Sequence, residues 1–166
     1  MKRLKSFAYA FRGIKHCIKN ERNMRIHTCV ALYVLAFAPF FQLSTQEFAI
    51  LLLTISAVLS AEMVNTAAEE LSDLSAADYN PMARIAKDVA AGAVLICSIF
   101  AVVIGVLFFL KKESFIAILR FFLDNPVAFF LFLLSVVAAM LFIELGPAGI
   151  SNKIQSIQLR KKIRKK

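Results

Sequence analysis

Four long stretches of this chain carry almost no charge, and no other feature constrains its fold as strongly. They run from about Ile26 to Phe41, from Phe48 to about Met63, from Val89 to Leu110 and from Val127 to Ile143. A helix that crosses the hydrocarbon of a bilayer takes roughly 20 apolar residues. Composition agrees: 60% of the 166 residues are hydrophobic, 19% are charged, and mean hydropathy is +0.72. A soluble domain carries about 25% charged and about 45–50% apolar residues. The expected fold is an all-α polytopic membrane protein, with the second span continuing as a helix beyond the membrane because Glu62 closes its apolar run.

Residues 1–25 are basic and interrupted too often to hold a continuous apolar core, so no cleavable signal peptide is expected. Cys17, Cys29 and Cys97 are odd in number and far apart, which points to packing residues and not to a disulfide or zinc framework. Cytoplasmic loops are the ones rich in lysine and arginine. The amino-terminal segment holds Lys2, Arg3, Lys5, Arg12, Lys15, Lys19, Arg22 and Arg25, whereas the turn Phe41-Gln-Leu-Ser-Thr-Gln-Glu47 holds no basic residue. Both termini are therefore expected in the cytoplasm, with Lys111, Lys112 and Arg120 in an outer loop that fits the rule poorly. The tail from Arg160 to Lys166 would meet anionic lipid headgroups as a solvated, partly disordered anchor. Leu4, Phe7, Ala8, Phe11, Ile14 and Ile18 recur at helical spacing among basic residues, which predicts an amphipathic helix lying in the interface. Phe115 to Leu123 predicts a second, ended by Asp124-Asn125-Pro126.

Chemistry concentrates in Glu62-Met-Val-Asn65-Thr-Ala-Ala-Glu69-Glu-Leu-Ser-Asp73. At about 100° per residue, Asn65, Glu69 and Asp73 fall at roughly 300°, 340° and 20° from Glu62, so one narrow helical face carries all four polar groups. Ionisable groups at membrane depth are costly and normally face a partner, a wet cavity or a substrate path. Arg84, Lys87 and Asp88 sit at the mouth of the third span, and Glu21 sits just before the first. Acids plus one lysine at a membrane surface suit phosphoryl transfer: carboxylates hold a divalent metal on nucleotide phosphates, a lysine offsets their charge, and a further carboxylate orients or deprotonates the accepting hydroxyl. The five glycines form no phosphate loop, which excludes a soluble-type kinase fold.

Three segments together resemble the small integral-membrane lipid kinases that comprise bacterial diacylglycerol kinase and undecaprenol kinase. They are Asn20-Glu-Arg-Asn-Met-Arg-Ile-His27, Ala61-Glu-Met-Val-Asn-Thr-Ala-Ala-Glu-Glu-Leu-Ser-Asp73 and Ala86-Lys-Asp-Val-Ala-Ala-Gly-Ala-Val94. The resemblance covers residues 1–110, a lipid kinase membrane domain, and leaves 111–166 as an extension with an outer loop, a fourth span and a basic tail. It implies ATP as co-substrate, Mg2+, and a homotrimer. It also implies Glu62 as the catalytic base for a lipid hydroxyl, with Asn65 adjoining it, and Glu21 and Glu69 as metal-binding carboxylates. Lys87 would contact phosphate, Asp73 and Asp88 would belong to the nucleotide site, and Tyr9 and Tyr79 would lie near the nucleotide. The segment Glu21-Arg-Asn-Met-Arg-Ile-His27 looks like the Gram-positive undecaprenol kinase branch, which tips the substrate toward undecaprenol over diacylglycerol.

Plainer roles compete at each position. Taken alone, Glu62 or Glu69 would be an interfacial or salt-bridged acid, and Lys87 a snorkelling anchor. Asp73 and Asp88 could simply charge helix termini, Asp88 near the start of the third span where the dipole favours an acid, and Arg25 and His27 could touch headgroups. A transporter or a non-catalytic membrane subunit is the alternative from another class; the apolar outer half of every span speaks against an ion path, and nothing in the chain suggests nucleic acid.

Overall fold

The computed structural model describes residues 2–74 and 81–163, which are helical almost throughout. Six helices follow in chain order: α1 (Lys2–Asn20), α2 (Arg22–Phe37), α3 (Thr45–Leu74), α4 (Pro81–Phe109), α5 (Lys112–Asp124) and α6 (Pro126–Ile163), with a 3-10 turn at Ala38–Phe41 after α2. Four segments are long and apolar enough to cross a membrane: Arg22–Phe41, Thr45–Leu74, Pro81–Phe109 and Pro126–Pro147. These are the four expected spans, so the protein is an all-α, multi-pass membrane protein. Most large apolar side chains are exposed, and α4 buries none of its residues. A water-soluble chain could not carry such a surface, but lipid tails are as apolar as leucine.

The helices form two compact units, His27–Pro126 and a second that joins Met1–Ile26 to Val127–Lys166. In the first, α3 and α4 pack along their length as an antiparallel pair. Asp73 near the end of α3 lies 3.8 Å from Lys87 near the start of α4, while Leu51 and Phe109 from the opposite ends line one cavity. Local chemistry explains where these helices begin. Pro39 opens the 3-10 turn, and Gln42 follows in the left-handed conformation at φ 47°. Ser44 and Glu47 then cap α3 reciprocally: the Ser44 N–H donates to Glu47 Oε2 at 2.7 Å, and the Glu47 N–H donates to Ser44 Oγ at 3.2 Å.

That corner is also where α5 attaches. The ring of Phe41, 4% exposed, meets Phe109 edge-on at 4.7 Å between centroids and Phe115 at 5.9 Å. Phe40 packs against Phe121, and Phe37 against Phe122. Lys111, poorly placed by the charge rule, donates from Nζ to the Phe41 carbonyl at 3.2 Å and so ties the 3-10 turn to the start of α5. A carbonyl at a helix end attracts a cation, which gives this lysine a structural reason to be where it is.

In the second unit, α1 carries the expected amphipathic pattern, and Arg12 stacks over the Tyr9 ring at 4.5 Å. The fourth span breaks at Gly146, whose φ of 62° and ψ of 172° are not helical, and Pro147 follows. Beyond the break the backbone is helical to Ile163, where sequence composition predicts a partly disordered anchor. No glycine or proline interrupts residues 151–163, so the local chain has no reason to stop.

Candidate active site

The buried stripe of α3 changes character along its length. Leu51 and Val58 are apolar; one turn on, the same stripe continues as Glu62, Asn65 and Thr66, which are 2%, 8% and 3% exposed. Glu69 is half-buried and Asp73 exposed. The four groups predicted to share a face therefore do so, and they form a gradient from a dry end at Glu62 to a wet end at Asp73. The amide of Asn65 donates from Nδ2 to Glu69 Oε1 at 3.3 Å, which links the two middle members. Thr66 turns its hydroxyl back onto the Glu62 carbonyl at 3.0 Å, satisfying itself inside the helix.

Lys87 reaches the wet end from α4, with its Nζ 3.8 Å from Asp73 Oδ1; the two side chains are 41% and 77% exposed. Asp88 is exposed on the next position of α4. Because α4 begins at Pro81, Asp88 lies beyond the first turn, where the helix dipole fades. The dipole role considered for it is thus not met. Glu21, half-buried, sits at the break between α1 and α2, and it and Tyr9 belong to the second unit. Tyr79 lies outside the described residues.

Among the described residues, no three His, Cys, Asp or Glu side chains converge as a metal cage. The donors present nonetheless suit Mg2+, which takes hard oxygen ligands and typically one or two carboxylates completed by substrate phosphates and water. Glu69 offers a carboxylate. The adjacent Asn65 Oδ1 is buried and accepts no hydrogen bond among the described residues, which is the condition of an oxygen that could serve a cation or a donor of the substrate.

Arg25, for which headgroup contact is the plainer alternative, turns to the protein itself. It is 6% exposed, with its guanidinium on backbone carbonyls. His27 lines an apolar cavity of about 330 Å³ together with Val34, Leu51, Val58, Leu59 and Gly105. Thr66 and the partners of Arg25 were not legible: a hydroxyl inside an α-helix is unremarkable in sequence, and the carbonyls that Arg25 meets come from residues up to 118 positions away.

Comparison with known proteins agrees with the arrangement. The family model described as prokaryotic diacylglycerol kinase matches residues 8–109. The undecaprenol kinase of Bacillus subtilis (strain 168) is 41% identical over 108 residues, which are 65% of this chain and 88% of that protein. A diacylglycerol kinase of Synechocystis is 42% identical over 61% of this chain, which spans 59% of the relative's length. The diacylglycerol kinase of Escherichia coli (strain K12) is 26% identical over 60% of this chain and 82% of its own. A stripe of acids on a membrane helix, a lysine facing its wet end and a family match over the first three spans lead to one conclusion: the chain belongs to the prokaryotic diacylglycerol kinase family and is a multi-pass membrane lipid kinase.

Proposed function

We propose that this kinase transfers the γ-phosphoryl group of ATP to undecaprenol at the cytoplasmic face of the bacterial cell membrane, giving undecaprenyl phosphate and ADP. The carrying observation is the polarity gradient along α3, from buried Glu62 through Asn65 and Glu69 to exposed Asp73 beside Lys87. A lipid alcohol approaches from the apolar end and a nucleotide from water, so a site between them needs a base at the dry end and phosphate-binding groups at the wet end.

In this reading Glu62 accepts the proton of the lipid hydroxyl as its oxygen attacks the γ-phosphorus and the bond to the ADP oxygen breaks. Lys87 donates to phosphate oxygens, and Asp73, with Asp88, orients Lys87 and the nucleotide. Asn65 holds Glu69 and presents Oδ1 to the reacting groups. Glu69 and Glu21 would hold Mg2+, which when bound offsets the charge of the phosphates. Tyr9 and Tyr79 would flank the nucleotide. The apolar cavity that ends at Val58 and Leu59, one turn before Glu62, offers room for the first part of an apolar tail.

Residues 1–110 act as the kinase segment and 111–166 as an extension, in keeping with the family match to 8–109. The working form is a homotrimer with both termini cytoplasmic. Undecaprenol is favoured because the Bacillus undecaprenol kinase aligns over 88% of its length and because of the Glu21–His27 segment. The Synechocystis relative, at 42% identity, favours diacylglycerol as the second reading.

The test is phosphoryl transfer from labelled ATP to undecaprenol and diacylglycerol side by side, using purified protein in bilayers. Glu62→Gln should lower kcat by about 100-fold or more, the scale of a lost general base, and Glu69→Ala should abolish turnover by removing a carboxylate that would hold the metal, each with the folded oligomer retained. An active Glu69→Ala would remove the metal role, and preferential use of diacylglycerol would reverse the substrate order.

A further inference from the structure

The corner between α1 and α2 carries Glu21, and its shape depends on an arginine that the phosphoryl-transfer reading does not use. Arg25 is 6% exposed. Its Nη1 donates to the carbonyls of Lys19 at 3.1 Å and Ile18 at 3.3 Å, and its Nε donates to the carbonyl of Ile143 at 3.0 Å. Each acceptor has a reason to be short of a donor. The last carbonyls of a helix have no intrahelical partner, and α1 ends at Asn20. The Cys17 carbonyl is served by the Glu21 N–H at 2.8 Å, which leaves Ile18 and Lys19 to Arg25. In α6 the N–H that would serve Ile143 falls at position 147, a proline, which has none.

Gly146 makes the contact possible in two ways. Its φ of +62° is a conformation that side chains disfavour, and a Cβ there would lie 3.2 Å from both Cζ and Nη1 of Arg25. Arg22 also pairs with Glu144, but both side chains are more than half exposed and the pair adds little. One planar fork of donors therefore fastens the carboxyl-terminal end of α1 to the end of the fourth span, at the residues that flank Glu21.

We propose that Arg25 is a positioning residue for Glu21, and that the fourth span, through the Ile143 carbonyl and the Gly146 break, holds Arg25 in place. The appended segment then belongs to the scaffold of the metal-binding corner and is more than an anchor. The inference rests on the metal role given to Glu21 above. Lysine cannot reproduce the fork, and supporting residues around a metal site are worth about 10- to 100-fold in metal affinity.

The experiment uses the full chain in detergent–lipid micelles. Mn2+ is the probe, its binding in the presence of a non-hydrolysable ATP analogue is followed by electron paramagnetic resonance, and the KM for Mg2+ and for the lipid alcohol are measured in parallel. Arg25→Lys and Gly146→Ala should each weaken Mn2+ binding about tenfold and raise the KM for Mg2+ in step, with the KM for the lipid unchanged; Glu21→Ala should weaken binding at least as much. Gly146→Ala keeps the test decisive should Arg25→Lys not fold, since it disturbs the clamp without removing the arginine. Normal Mn2+ affinity in the folded fraction of Arg25→Lys and Gly146→Ala, with Glu21→Ala weakened, overturns the positioning role and leaves the site reading intact. Normal affinity in Glu21→Ala overturns the metal role of Glu21 and this inference with it.

Discussion

Replacing Lys87 by methionine separates chemistry from structure at the wet end of the site. The only protein partner given to its Nζ by the described residues is Asp73, at 3.8 Å, with the side chains 41% and 77% exposed. An exposed ion pair is worth about 0–1 kcal/mol once solvent screening and side-chain entropy are counted, and this one is at the long end of the range. Methionine keeps most of the stem, so Lys87→Met should change unfolding free energy by less than about 1 kcal/mol. If Lys87 donates to phosphate in the transition state, the loss is that of a charged hydrogen bond, about 1.5–3 kcal/mol. At 1.36 kcal/mol per tenfold, kcat/KM should fall by about 10- to 150-fold. The assay pairs steady-state kinetics, varying ATP at fixed lipid, with denaturant unfolding of the same preparation in micelles. Asp73→Asn is the comparison: it breaks the ion pair and the orienting contact but leaves the cation, so it should cost less than Lys87→Met. Activity lost in proportion to stability, or lost equally in Lys87→Met and Asp73→Asn without any change in the ATP dependence, would refute the argument, because the lysine would then matter only through its partner.

Other outcomes follow from the same structure. Phe41→Ala empties a site that is 4% exposed and removes two edge-to-face ring contacts, to Phe109 and Phe115; it should cost about 3–5 kcal/mol in micelle unfolding, and faster hydrogen exchange should be confined to α5 and the end of α4. Lys111→Met removes the donor to the Phe41 carbonyl and should destabilise the same corner by about 1 kcal/mol, whereas a lysine that merely snorkelled would leave unfolding unchanged.

Much of the site was readable because its members sit on one helix. Glu62, Asn65, Glu69 and Asp73 share a face by the geometry of the α-helix alone, and any tertiary arrangement that kept α3 helical would keep them in line. The depth of each group was not readable. That Glu62 and Asn65 are buried while Asp73 is exposed depends on how α3 packs in the folded protein, and the pairing of Asp73 with Lys87 depends on the antiparallel α3–α4 contact. The partners of Arg25 were hidden for the same reason: they are backbone carbonyls, which every residue has and no sequence marks.

Taken alone, the sequence determined that the chain lies in a membrane, where its four spans run, which face of α3 carries the acids, and which motifs tie it to lipid kinases. These are properties of local hydropathy and helical period, and they need no knowledge of what lies across the fold. The tertiary structure decided what Lys111 holds, why Gly146 precedes Pro147, which acid is dry and which is wet, and that Arg25 closes one end of the fourth span onto one end of α1. Each depends on a donor meeting an acceptor, or a side chain meeting a surface, from a distant part of the chain, and hydropathy and helical period do not specify such meetings.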